Sequence, residues 1–168
     1  ANIAALGITG SFTAADKTYD GSTAATVLTR TLAGVLAGDV ANVILTGTAT
    51  FDTALAGTGK TVTLAGATLT GTAAGNYTLA PVGTTTATIG KATATVTVSG
   101  YTGVFDGAAH GATGTATGVG GVNLSASLTL GATFINIPGG TANWTFSGGT
   151  NYTDQSGSVA IVISNNSP

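Results

Sequence analysis

KTVTLAG, residues 60–66, sets Val62 and Leu64 against Thr61 and Thr63. Side chains two positions apart share one face of an extended strand, whereas a helix groups positions three and four apart. The alternation predicts a half-buried strand with an apolar side and a hydroxyl side. The same period recurs outward along the chain. TATVTVSG (93–100) sets Val96 and Val98 against Thr95 and Thr97, and ANWTFSG (142–148) sets Trp144 and Phe146 against Asn143 and Thr145. In VNLSASLTLG (122–131), Leu124, Ala126, Leu128 and Leu130 share one parity, which predicts a further strand. SVAIVIS (158–164) is apolar on both parities and predicts a strand covered on both faces. Helical spacing is confined to Leu32, Val35 and Leu36 in TLAGVLAGDV (31–40), whose glycines reduce it to a turn at most. Gly-containing breaks separate the alternating runs, so the chain reads as all-β, a sandwich or barrel of short strands.

The composition permits a core and restricts the partners. The chain has 168 residues, 43% of them hydrophobic, with ten formal charges, no Glu and no Cys. Disordered chains combine low hydrophobicity with high charge, the reverse of this balance. Thr fills about a fifth of the positions, so polarity rests on hydroxyls, amides and backbone. A net charge of -2, with Lys17, Arg30, Lys60 and Lys91 scattered, offers no footprint for nucleic acid. No apolar run approaches the roughly 20 residues of a spanning helix, so membrane insertion is not expected. The chain opens on ANIAALGITG without a basic leader and closes on SNNSP, and reads as an excerpt from a longer protein.

Two short signposts are written twice. KTYDG (17–21) returns as GVFDG (103–107), and AGNYT (74–78) returns as GTNYT (149–153). Asp20 and Asp106 are 86 residues apart and Tyr77 and Tyr152 are 75 apart, which predicts a unit of about 80 residues occurring twice. The junction falls at Gly90 and Lys91, where a link of about two residues predicts a semi-rigid pair. Asp-Gly closes a tight turn: Gly takes the positive φ and the Asp carboxylate accepts from nearby backbone amides. A cation bound at Asp20 or Asp106 is the alternative, but hard cations need several oxygen ligands together. Asn-Tyr-Thr resembles the tyrosine corner of immunoglobulin-like sandwiches, in which the hydroxyl bonds to upstream backbone. Tyr19, Phe51, Tyr77, Phe105, Trp144, Phe146 and Tyr152 are the expected core or corner residues.

Catalytic chemistry finds no support in the residue types, and we assign no catalytic, cofactor-binding or metal-binding residue. His110 is the single histidine and lies in a Gly-rich stretch without a nucleophile elbow. The carboxylates are Asp16, Asp20, Asp39, Asp52, Asp106 and Asp154, of which Asp20, Asp39 and Asp106 sit in Gly turns. An internal amide bond joining Lys17 or Lys60 to Asn76 or Asn42 beside Asp52 is one covalent possibility for the first unit. Asn76, Asn123, Asn143, Asn151 and Asn165 have the glycan-acceptor pattern, which a Thr-rich chain produces often by chance.

KTYDGSTAATV, LAGVLAGDV, TFDTALAGTGKTVTLAGATLTG and AGNYTLAP together resemble the YDG domain of large bacterial surface and secreted proteins. The stretch from YTGVFDG to SGSVAIVI is similar to the MBG-type, immunoglobulin-like modules that accompany it, with Phe105 in place of the usual Tyr. The resemblance implies two tandem immunoglobulin-like β-sandwich domains, residues 1–90 and 91–168, in an adhesin-like or fibre-like protein at the bacterial surface or outside the cell. The function expected is structural and non-catalytic: a spacer, or a fibre subunit joined through edge strands, with neighbouring repeats or further copies as partners. The alternative is a ligand-binding module, its Thr-rich faces meeting carbohydrate or ice.

Overall fold

The computed structural model describes residues 2–165, and these contain β-strands and 3-10 turns but no α-helix. The chain is all-β. Its internal contacts divide it into two compact units, Ala1–Gly90 and Lys91–Pro168.

The first unit contains β1 (Leu6–Ala14), β2 (Lys17–Thr18), β3 (Val27–Ala33), β4 (Ile44–Phe51), β5 (Gly57–Thr70), β6 (Tyr77–Leu79) and β7 (Thr85–Gly90). They form two sheets, ordered β3-β1-β6 and β2-β7-β5-β4. Val62 and Leu64 are buried on β5 while Thr61 and Thr63 face out, as KTVTLAG predicts. Phe12 from the first sheet joins Leu45, Phe51, Val62, Leu64 and Ile89 from the second, so both sheets share one core, consistent with a β-sandwich. Burying each large side chain contributes about 1.5–3 kcal/mol. A second cluster of Ile8, Val43, Ala73 and Tyr77 closes the end where β1 starts.

The second unit contains β8 (Thr95–Ser99), β9 (Tyr101–Val104), β10 (Thr113–Thr117), β11 (Leu128–Thr129), β12 (Gly139–Phe146) and β13 (Gln155–Ser164). Its sheets are β10-β8 and β11-β12-β13-β9. The core is lean: Phe146, Ile161, Ile163 and Tyr152 are buried with Ala92, Ala94, Ala116 and Ala142.

Corresponding pairings recur in both units. Leu6 lies parallel to Tyr77 and Ala92 to Tyr152. β1 pairs antiparallel with β3, and β8 with β10. β2 runs parallel to β7, and β9 to β13. The Tyr19 amide donates to the Gly90 carbonyl at 2.8 Å and the Phe105 amide to that of Ser164 at 2.9 Å.

Three sequence expectations are corrected. VNLSASLTLG is a strand only at Leu128–Thr129, preceded by a 3-10 turn at Ser125–Ser127. The Asn123 side chain accepts from the Ser125 amide, and the Ser125 hydroxyl accepts from the Ala116 amide. These short polar side chains give the backbone an alternative to a ladder. SVAIVIS is covered on one face only: Ile161 and Ile163 are buried, whereas Val162 is 42% exposed. Phe105 is not in the core but 48% exposed, and Trp144 is half-buried, its ring lying across the neighbouring strand at Gly157.

Candidate functional site

The duplicated Asp-Gly signposts form duplicated turns. Gly21 and Gly107 both have φ of +80°, a conformation that suits glycine. Asp20 Oδ1 accepts from the Ser22 amide at 2.8 Å, and Asp106 Oδ1 accepts from the Ala108 amide at 2.8 Å. A different nitrogen-bearing side chain backs each turn. Lys17 Nζ donates to Asp20 at 2.8 Å and also to the Ser22 carbonyl, while His110 Nε2 sits 2.9 Å from Asp106 Oδ1. Tyr19 is half-buried beside the first turn and packs against the shared core. Residues 4–88, which contain this Tyr-Asp-Gly turn, match the YDG domain family. The chain belongs to that family. The match stops short of the second unit, and a comparison with curated proteins finds no match.

In the YDG domain the second signpost reaches back to a distant loop. Tyr77 is buried; its hydroxyl donates to Asp39 Oδ2 at 2.8 Å and accepts from the Leu36 amide at 3.2 Å. Burial first, and the Asp39 hydrogen bond second, push the Tyr77 hydroxyl above its ordinary value. Outside the YDG match, the Tyr152 hydroxyl accepts from the Val119 amide at 2.9 Å. Both tyrosines bond upstream backbone, but from 41 and 33 residues away. They tie the last third of each unit to a loop in its first half.

All six carboxylates accept hydrogen bonds. Asp16 accepts from the Thr88 amide, Asp154 from the Gly148 amide, and Asp52 from the Thr53 amide while pairing with Lys60 Nζ at 3.0 Å. Among the described residues no three metal-ligating side chains gather, and Asp20 and Asp106 are turn residues. Lys60, chiefly, and the Thr53 amide hold the Asp52 carboxyl below its usual value. The Ala108 amide, then His110, do the same for Asp106.

The amide-bond geometry is absent. Lys17 is held by Asp20 and Ser22, and Lys60 by Asp52 and Thr53, at the end of β4 where Phe51 lies. Asn42 precedes the opposite end of β4, and Asn76 precedes β6 near it. Asp52 is also exposed rather than buried. Of the glycan-acceptor asparagines, Asn76, Asn123 and Asn143 are exposed and Asn151 is half-buried, while the rest of the Asn165 motif falls outside the described residues.

Two contacts had no sequence signal. The His110 ring stacks on Tyr101 with centroids 3.9 Å apart and planes 8° from parallel. Arg30 Nη2 donates to the Gly47 carbonyl at 3.1 Å, at the bulge of β4. Both unite residues distant in sequence, and neither follows from the strand period.

The Asp20 turn gives a signed pH response. Lys17, then the Ser22 amide and hydroxyl, lower the carboxyl from 3.8 to about 2. A value depressed in the folded state gives stability that is complete above the unfolded value and is lost as pH falls through the folded one. The first unit therefore loses stability between pH 3.8 and about 2. Comparing thermal midpoints of the protein and its Asp20→Asn variant over this range checks it. Equal acid slopes would dismiss the turn as the source.

Proposed function

We propose that the chain is a structural, non-catalytic module of a bacterial extracellular or cell-surface protein: a YDG domain followed by an MBG-type immunoglobulin-like domain, working as a spacer. The observation that carries this reading is the parallel pairing of the second strand with the last strand of each unit. β2 pairs with β7 at Lys17–Ile89 and Thr18–Gly90, and β9 pairs with β13 at four positions from Tyr101–Ile161 to Val104–Ser164. Tension on the chain ends pulls the early strands of a unit toward its start and the last toward its finish. Parallel strands pulled in this way slide along their axes, so their hydrogen bonds are strained together and not one at a time. The carboxylate and tyrosine bonds serve the same role by fixing turns and distant loops.

Pulling the single molecule by its two ends tests the proposal. Two force peaks are expected, with extensions on the order of 250–300 Å each. Unfolding without force peaks would remove the mechanical reading.

Assembly through edge strands receives less support. The long edge strand β3 carries Arg30 opposite the buried Phe12, on the core-facing side, and turned to the β4 bulge. An inward-turned charge discourages pairing with another chain. The β4 edge is itself flanked by Thr23–Ala25 through the Phe51 amide to Thr23 and the Ala25 amide to Ala49. For the second reading, a ligand-binding face, one observation speaks. Thr113, Thr115 and Thr117 stand opposite Ser99, Thr97 and Thr95, all exposed. In the corresponding β1–β3 ladder, however, Ser11 and Thr31 bond each other at 2.6 Å, as do Thr13 and Thr29, so the hydroxyls of that first-unit face are engaged with one another.

A further inference from the structure

Asp20-Gly21 and Asp106-Gly107 are the two Asp-Gly pairs of the chain, and no Asn-Gly occurs. In such a pair the glycine amide nitrogen can attack the preceding side-chain carboxyl carbon, because glycine sets no side chain in the way. The five-membered imide that results is reopened by water at either carbonyl, giving aspartate or isoaspartate. Both turns are exposed and have room for the ring: a Cβ on Gly21 or Gly107 would meet nothing within 4 Å. In each, the Asp oxygen accepts from the amide two residues on, which folds the carboxyl carbon back over the intervening glycine.

The two turns differ in what faces the carboxylate. Lys17 Nζ donates to Asp20 Oδ1 at 2.8 Å and to both oxygens of Ser22, while the Ser22 hydroxyl donates to Oδ1 at 2.9 Å. Both sides of Gly21 are thus pinned to one ammonium. Asp106 Oδ1 instead meets the Ala108 amide and, at 2.9 Å, His110 Nε2. The imidazole is fixed for this contact. Its ring stacks on Tyr101 at 3.9 Å, its backbone amide and carbonyl both bond Phe134 at 2.8 Å, and its side chain is 15% exposed. Tyr101 from β9 and Phe134 from the facing segment bring no charge to it, so Asp106 is the charged group that it meets. Expelling a carboxylate oxygen as water takes two protons. The attacking amide supplies one, and the other must come from an acid beside the departing oxygen. An imidazolium releases a proton near neutral pH far more readily than an ammonium does.

We propose that Asp106-Gly107 is a self-modification site at which His110 serves as the acid. The Gly107 nitrogen bonds to Asp106 Cγ and the Cγ–Oδ1 bond breaks. Oδ1 leaves as water, carrying one proton from the His110 imidazolium and one from the Gly107 amide. A succinimide and a neutral imidazole remain, and no reactant but water is needed afterwards. Water entering at the main-chain carbonyl gives isoaspartate, with one more methylene in the backbone. The insertion falls directly after Phe105, whose amide bonds Ser164 at the end of the β9–β13 ladder. The change belongs to the second unit and does not depend on the spacer reading.

Incubating the folded chain at about pH 6, where imidazole is part-protonated, tests it. Peptide mapping by mass spectrometry, with enzymatic methylation to mark isoaspartate, reads each position. Isoaspartate should accumulate several-fold faster at position 106 than at position 20. His110→Lys keeps the cation but not its acidity, and His110→Gln keeps a donor without the charge. Each should slow position 106 toward the rate at position 20, with the thermal midpoint showing that the variant is folded. Should one variant fail to fold, the other carries the comparison. Isomerisation at 106 no faster than at 20 in the unaltered chain overturns the proposal, and so does an undiminished rate at 106 in a folded His110 variant.

Discussion

Phe146→Ala should destabilise the second unit by about 3–5 kcal/mol, the usual cost of removing a buried Phe. The ring is 2% exposed, and alanine makes up much of the buried core of this unit and cannot extend to fill the space. Against total stabilities of about 5–15 kcal/mol, such a loss leaves the second unit largely unfolded on mild heating. The first unit should remain folded, because its core is assembled from its own strands around Val62 and Ile89. Hydrogen exchange read residue by residue will separate the two: protection should collapse on β12 and β13 and persist on β5 and β7. Loss of protection in both units together would mean that they fold as one body.

Tyr77→Phe should cost about 1–3 kcal/mol in the first unit, since it leaves the Leu36 amide and Asp39 without their shared partner. The matching Tyr152→Phe change removes the acceptor for the Val119 amide. The first loss should exceed the second, because a bond to a carboxylate is stronger than one between neutral groups. Urea midpoints for the two variants, each referred to its own unit, give the comparison. Equal or reversed losses would show that the Asp39 bond adds nothing beyond burial of the ring.

The two tyrosine ties differ in how far the sequence discloses them. Asn-Tyr-Thr marked both tyrosines as structural, and the repeated spacing marked them as equivalent. Asp39 is 38 residues from Tyr77, and in the sequence it reads only as another Gly-flanked turn residue. The Asp20 and Asp106 turns were legible because their bonds run two residues along the chain. His110 was not legible as part of its turn's surroundings, because its stack on Tyr101 depends on how β9 and the following loop pass each other.

Strand periodicity decided the fold class. Alternating Val, Leu and Thr can be half-buried only as strands, and the pattern carries through β5, β8 and β12 without tertiary help. Local chemistry also set the Asp-Gly turns. Tertiary structure decided what alternation could not express. Asn123 and Ser125 captured backbone amides and turned an alternating run into a 3-10 turn, and the outer face of SVAIVIS stayed exposed with Val162 on it. It also set Phe105 outward where Tyr19 turns partly inward. A period of two specifies that a residue faces one side of a strand; only the packing of other strands decides whether that side is covered.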